Sequence, residues 1–195
     1  MTRRLSICLL SGVLAFVWPD AGWAGQEFDQ LQALAYSDPA AALVQADAAS
    51  EARTLAPGEA DLIVARALYY QNGFRASLSR LARAEPYFSE DRLPERYAVL
   101  RTLVAQNYYR IGSLEQAMIA AREAERIAEA MDERPVLAQV YNIIAAVYVA
   151  SAEPEPAREY FQRALRVFEA LDSRPDIAKL RNNLGVLYIE IGEFD

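Results

Sequence analysis

Apolar residues along the second half of the chain recur at steps of three and four, and the runs are cut by short polar breaks. In 135–150, Leu137, Val140, Tyr141, Ile144, Val147 and Tyr148 fall on one face of a helix. A break at Ser151-Ala152-Glu153 follows, and Pro154 and Pro156 suit the first turn of a second helix. That helix carries Ala157, Phe161, Ala164, Leu165, Phe168 and Leu171 on its buried side. It stops at Asp172–Pro175, where Asp172 and Ser173 are expected to cap the oncoming helix and Pro175 to sit in its first turn. The pattern predicts a helical hairpin.

The hairpin repeats. Ala130-Met131-Asp132-Glu133-Arg134-Pro135 returns 40 residues on as Ala170-Leu171-Asp172-Ser173-Arg174-Pro175. Residues 98–137 align on 138–177 without a gap, with identities that include Ala105/145, Tyr108/148, Ala117/157, Ala124/164 and Glu129/169. A fixed period of this length signals a stacked all-α repeat in which each unit buries its apolar face on its neighbours. Small residues at Ala105, Ala145 and Gly185, and at Ala117 and Ala157, allow close helix crossings. Gly112 and Gly192 suit left-handed C-terminal positions, which Ala152 takes in the middle repeat.

Leu184-Gly185, Tyr188 and Gly192-Glu193-Phe194-Asp195 resemble the first helix and turn of a tetratricopeptide repeat, and Ala157, Phe161 and Ala164 match the small-aromatic-small positions of its second helix. The resemblance covers about 98–195, with a period longer than the usual ~34 residues. The motif's Trp is replaced by Arg101, Tyr141 and Arg181. The resemblance implies a right-handed solenoid of stacked antiparallel hairpins, with clear repeats at 98–137 and 138–177, a partial one at 178–195 and divergent ones in 26–97. In 26–97, Phe28–Tyr36 pairs with Pro39–Thr54, then Leu62, Ala65 and Tyr69 with Leu78, Leu81 and Ala82. Arg66 falls where a small residue is expected, which leaves the register there open.

The first 24 residues follow another pattern. Arg3-Arg4, the apolar stretch Leu5 to Trp18 and the small-x-small exit Gly22-Trp23-Ala24 predict a cleaved signal peptide, with 25–195 as the mature repeat domain. Cleavage would remove Cys8, Trp18 and Trp23, leaving no Cys, Trp or His. An Ala-rich chain whose cations are Arg apart from Lys179 resembles the product of a GC-rich bacterial gene, so a periplasmic location is expected. At the other end, Gly192–Asp195 opens a turn with no second helix after it, so a longer protein is expected.

Composition narrows the chemistry. Without His or a mature Cys there is no Ser-His-Asp or Cys-His arrangement, no His-containing zinc site and no thiol redox chemistry. Glu153 and Glu155 sit at a helix start, where acids favour the dipole. No enzyme activity, cofactor or metal is expected. A net charge of −7 argues against nucleic acid and anionic membranes. Arg158, Arg163 and Arg166 alternate with Glu155, Glu159 and Glu169, as on a solvated helix surface. Most Tyr residues are expected in the core.

In the family resembled, first helices line a concave groove for a peptide or protein segment. Carried onto this chain, the groove holds Thr102, Gln106, Tyr109 and Arg110, then Gln139, Asn142, Ile143 and Ala146, then Lys179, Asn182, Asn183 and Val186. Asn142 and Asn182, one period apart, are expected to bond the backbone of an extended peptide, because an amide both donates and accepts. Two roles follow: an exported interaction module, or the extracytoplasmic sensor region of a membrane signalling protein such as a diguanylate cyclase or histidine kinase.

Overall fold

The structure, a computed structural model, describes residues 21–56, 58–89 and 92–191. Its helices are α1 (Ala21–Ser37), α2 (Pro39–Ala52), α3 (Glu59–Tyr70), α4 (Phe74–Ala84), α5 (Pro94–Arg110), α6 (Leu114–Met131), α7 (Arg134–Ala150), α8 (Pro154–Ala170) and α9 (Arg174–Ile191), with a 3-10 turn at Glu85–Tyr87. The described residues contain no strand. Residues 1–20 and the Gly192–Asp195 turn lie outside the described residues, and the expected cleavage after Ala24 falls in the first turn of α1.

The helices form four hairpins and a final first helix. Each second helix packs on its own first helix and on the next one, as α6 does on α5 and α7. The first helices also touch one another, α1 on α3, α3 on α5 and α5 on α7. Among the described residues this is a two-layer, all-helical solenoid whose main apolar core runs from Phe28 to Leu187, with a smaller cluster of Ala98, Ile127, Ala128 and Leu137 beside it. Among the described residues no helix is long and apolar enough to cross a membrane.

The period of 40 governs local structure upstream of residue 98 as well. Asn72, Gly112 and Ala152 all have left-handed backbones, with φ of +61°, +80° and +58°. The residues after them, Gly73, Ser113 and Glu153, each precede a second helix. Ala65, Ala105 and Ala145 are fully buried in the first helices, as are Ser77, Ala117 and Ala157 in the second. Ser77 is tolerated in that series because its hydroxyl donates to the Ala65 carbonyl oxygen at 2.7 Å.

This register corrects the sequence reading at several points. Ala65, not Arg66, takes the small-residue place in α3, so Arg66 shares its position with Gln106 and Ala146. In α4 the buried side is Ser77, Leu81 and Ala84, and Ala82 is exposed. Asp172 does not begin α9 as a cap; its φ of +50° makes it the left-handed residue that ends α8, as Asp132 ends α6. Ser173 instead donates to Asp176 Oδ2 at 2.6 Å. Gly185 keeps the register, yet an added Cβ would meet nothing within 4 Å among the described residues, because none of them forms a second helix after α9.

The residues standing in for the motif's Trp join consecutive hairpins by polar contacts. Tyr141 donates to Glu129 at 3.1 Å, and Arg181 pairs with Glu169 at 3.4 Å; both pairs are 12 residues apart, one period from each other. Arg101 uses other acids, Glu123 at 2.6 Å and Glu85 at 3.5 Å. Two of the three positions thus carry an arginine paired with acids, and the third keeps an aromatic whose hydroxyl bonds one.

Candidate functional site

A concave surface runs along one face of α1, α3, α5, α7 and α9. The spacing is helical in each: Gln32, Ala33 and Tyr36 from α1, Arg66, Tyr69 and Tyr70 from α3, Gln106, Tyr109 and Arg110 from α5, and Gln139, Asn142, Ala146 and Val149 from α7. Asp176, Lys179, Asn183 and Val186 close it from α9. Two adjoining cavities, of about 410 and 420 Å³, share Tyr70, Gln106, Asn142 and Lys179 along their common wall. Second helices supply only floor residues, Phe168 in the first cavity and Phe161 in the second.

Of the residues expected in the groove, Gln106, Tyr109, Arg110, Gln139, Asn142, Ile143, Ala146, Lys179, Asn183 and Val186 line one cavity or both. Two stand elsewhere. Thr102 is 2% exposed, and its hydroxyl donates to the Ala98 carbonyl oxygen at 2.8 Å. It belongs to the packed interior because α5 has first helices on both sides. Asn182 is exposed on α9 and lines neither cavity. The amide that meets Asn142 is Asn183, whose Nδ2 donates to Asn142 Oδ1 at 3.0 Å. The expected ladder of equivalent Asn residues is therefore replaced by a bonded pair 41 residues apart.

Sequence reasoning missed the end of the groove nearest the N-terminus. Tyr36, 61% exposed, meets Tyr70 edge-on at 5.1 Å, and Tyr69 meets Tyr70 at 5.3 Å and Phe74 at 5.7 Å. Arg110 lies 4.7 Å from the Phe74 ring centroid and 5.8 Å from that of Tyr69, and donates to Asn72 Oδ1 at 3.2 Å. These tyrosines form an aromatic ledge at the edge of the core, against which Tyr69 packs. The signal was available, since Arg66, Tyr69 and Tyr70 lie one period before Gln106, Tyr109 and Arg110.

The local charge opposes that of the whole chain. Arg66, Arg110 and Lys179 line the two cavities against the single acid Asp176, although the protein carries −7. Burial pulls the Arg66 pKa below its ordinary value, opposed by the nearby Tyr70. Burial pushes the Tyr70 phenol up, and Arg66 partly offsets this. The upward shift leaves the Tyr70 phenol neutral at neutral pH.

The opposite layer has a polar cluster of another kind. Arg122 of α6 donates to Glu125 at 2.7 Å, to Tyr148 at 2.9 Å and to Tyr160, and stacks 5.0 Å from the Tyr160 ring centroid. Burial would lower the Arg122 pKa, but the bonds to Tyr160 and Glu125 outweigh it and the pKa ends raised. Each charge here has a partner, so the cluster ties α6, α7 and α8 together. Arg163 pairs with Glu159 at 2.6 Å on the exposed side of α8, as a solvated surface requires.

The tetratricopeptide repeat family model matches residues 134–195, which span α7 to α9. Residues 134–195 are therefore similar to tetratricopeptide repeats, a kind of repeat that generally serves protein–protein interaction. Comparison with curated proteins finds no match. Among solved structures, the chain is similar to the crystal structure of BtubC (BKLC) from P. vanneervenii, with a TM-score of 0.58 and 24% identity. The likeness covers 86% of this chain and 63% of that one, and at this identity it speaks for the helical-repeat fold alone.

Proposed function

We propose that the chain is an exported interaction module that holds a protein or peptide segment along the first-helix face and performs no chemistry of its own. The observation that carries this is the convergence of one face from each of five helices on a single concavity lined by amides and phenols. Gln106, Gln139, Asn142 and Asn183 can each donate and accept, which suits the backbone of an extended segment. The ledge of Tyr36, Tyr69 and Tyr70 offers apolar area with polar tips, the composition of interface anchors. Export and a periplasmic setting rest on the basic start, apolar run and small-residue exit of 1–24.

The test places a photo-crosslinking residue at Gln139 in the groove or at Arg163 on the opposite layer, in cells producing the full chain. The reading expects a discrete protein adduct from Gln139 and none of the same mass from Arg163. Adducts from Arg163 alone would move the interface to the other layer and reject the groove.

A further inference from the structure

At the inner end of the groove, two half-buried residues, Gln32 and Arg66, hold polar side-chain atoms that are shut off from solvent without a hydrogen-bond partner. Among the described residues, the buried side-chain atoms lacking a hydrogen bond are Gln32 Nε2 and Oε1, Arg66 Nε, Arg101 Nε and Asn107 Oδ1. Arg101 Nε nevertheless lies 2.6 Å from a Glu123 oxygen, so its charge is matched. Three of the remaining four atoms belong to Gln32 and Arg66, which line the same cavity of about 410 Å³. Native proteins satisfy nearly all such groups, and clusters of exceptions call for a specific explanation.

The charge of Arg66 is also unmatched: among the described residues it has no ion pair, whereas Arg96, Arg101 and Arg122 all do. A desolvated guanidinium without a counter-ion weakens the fold and is retained where an anion uses it. Its planar fork matches the two oxygens of a carboxylate. Around it stand groups that both donate and accept, namely Gln106, Gln139, Asn142 and the Tyr70 hydroxyl. Lys179 adds a second cation on the α9 side, beside one acid, Asp176, so the lining keeps a net positive charge. The cavity volume falls within the range of about 300–1,000 Å³ typical of small-molecule sites. It is bounded by α1 at one end of the solenoid and α9 at the other, so a ligand there would touch both ends.

We propose that this inner cavity is a binding site for a small polar carboxylate, whose anionic group pairs with Arg66 and Gln32 while its remaining hydroxyl or amide groups meet Gln106, Gln139 and Asn142. The site differs in kind from the segment-binding reading because it takes a free low-molecular-weight ligand, although Gln106, Gln139 and Asn142 are common to both and the two occupants would compete there. Because the ligand bridges α1, α3 and α9, its binding stabilises the curled form of the solenoid.

The experiment titrates the full chain with succinate, citrate, glutamate, glucuronate and a short peptide with a free C-terminal carboxylate, with succinamide and glucose as uncharged controls. It reads the Arg66 Nε–H and Gln32 side-chain amide resonances together with the melting temperature. At least one carboxylate should shift both resonances at millimolar or lower concentration and raise Tm, and the uncharged controls should do neither. Arg66→Met should weaken that binding by more than about tenfold. Without ligand the same variant should melt about 2–4 °C higher, since an unmatched buried charge is gone. A merely structural Arg66 would give the opposite sign, a lower Tm. Arg66→Lys, which keeps the charge but loses the fork, should bind with intermediate affinity. The proposal is overturned if no free carboxylate shifts Arg66 and Gln32, if only a peptide with a free carboxylate does so, or if Arg66→Met binds as the unaltered chain does.

Discussion

Asn107 gives the sharpest test of the repeat register. It is 0% exposed in α5, and one and two periods on its position is taken by Val147 at 2% and Leu187 at 1%. An amide thus sits where the repeat calls for an apolar side chain. Its Nδ2 donates to the Leu103 carbonyl oxygen at 2.8 Å, a group four residues back that the helix itself already engages, and its Oδ1 has no partner. For Asn107→Val, relief of the unpaired acceptor is worth about 1–3 kcal/mol, and loss of the side-chain bond costs about 1 kcal/mol. One further buried methyl-sized group contributes about 0.8 kcal/mol, and the β-branched residue costs a few tenths in helix propensity. The balance is a stabilisation of about 1–2 kcal/mol, or roughly 2–6 °C in Tm for a chain of this size. Thermal and urea melts followed by circular dichroism on the full chain measure it. A variant less stable than the parent would show that Asn107 is not an apolar core position in disguise, and the register argument would fail with it.

Other consequences follow from single sites. Gly58 begins α3 with φ of +87°, and a Cβ there would lie 2.9 Å from Tyr87 Cβ, so Gly58→Ala should destabilise by about 2–4 kcal/mol in the same melts; an unchanged Tm would contradict the geometry. Burial and the hydrogen bond to Glu123 push the Tyr97 phenol from 10.0 up to about 12. A pKa raised in the folded state gives stability that is complete below pH 10 and lost as pH rises towards 12. Alkaline melts of Tyr97→Phe should therefore fall less steeply than those of the parent over that window, and parallel curves would refute the coupling. Export with cleavage after Ala24 would remove both Trp residues, so periplasmic material should fluoresce as tyrosine only, and an intact mass retaining Trp18 and Trp23 would exclude that cleavage.

The hairpins were legible because their signals are local. Ser151-Ala152-Glu153 was read as the break between two helices, and α7 ends at Ala150 and α8 begins at Pro154. Pro154 and Pro175 stand in first turns as their fixed φ demands. The groove was legible in outline, since one helical face per first helix follows from spacing. Its details were not. A period says which residues are equivalent, but not which neighbour covers each one. Thr102, Asn142 and Asn182 are equivalent in sequence, yet the first is packed inside, the second lines both cavities and the third is exposed. The angle between successive hairpins and the number of flanking helices decide that, and neither is written at any one position. The register around Arg66 stayed open for a simpler reason: only a few identities, such as Val64/104, Ala65/105, Tyr69/109 and Ala84/124, carry the repeat upstream of residue 98.

The central claim, that the first-helix face is the binding surface, is tested most directly by removing its bonded amide pair. With the protein captured from Gln139, the affinity of the full chain should be compared with that of Asn142→Ala/Asn183→Ala and of Arg163→Ala on the opposite layer. Each lost groove hydrogen bond is worth on the order of 1 kcal/mol, so the double change should weaken binding more than about tenfold and Arg163→Ala should change little. An unchanged affinity in a double variant whose circular dichroism and melt match the parent would contradict the account.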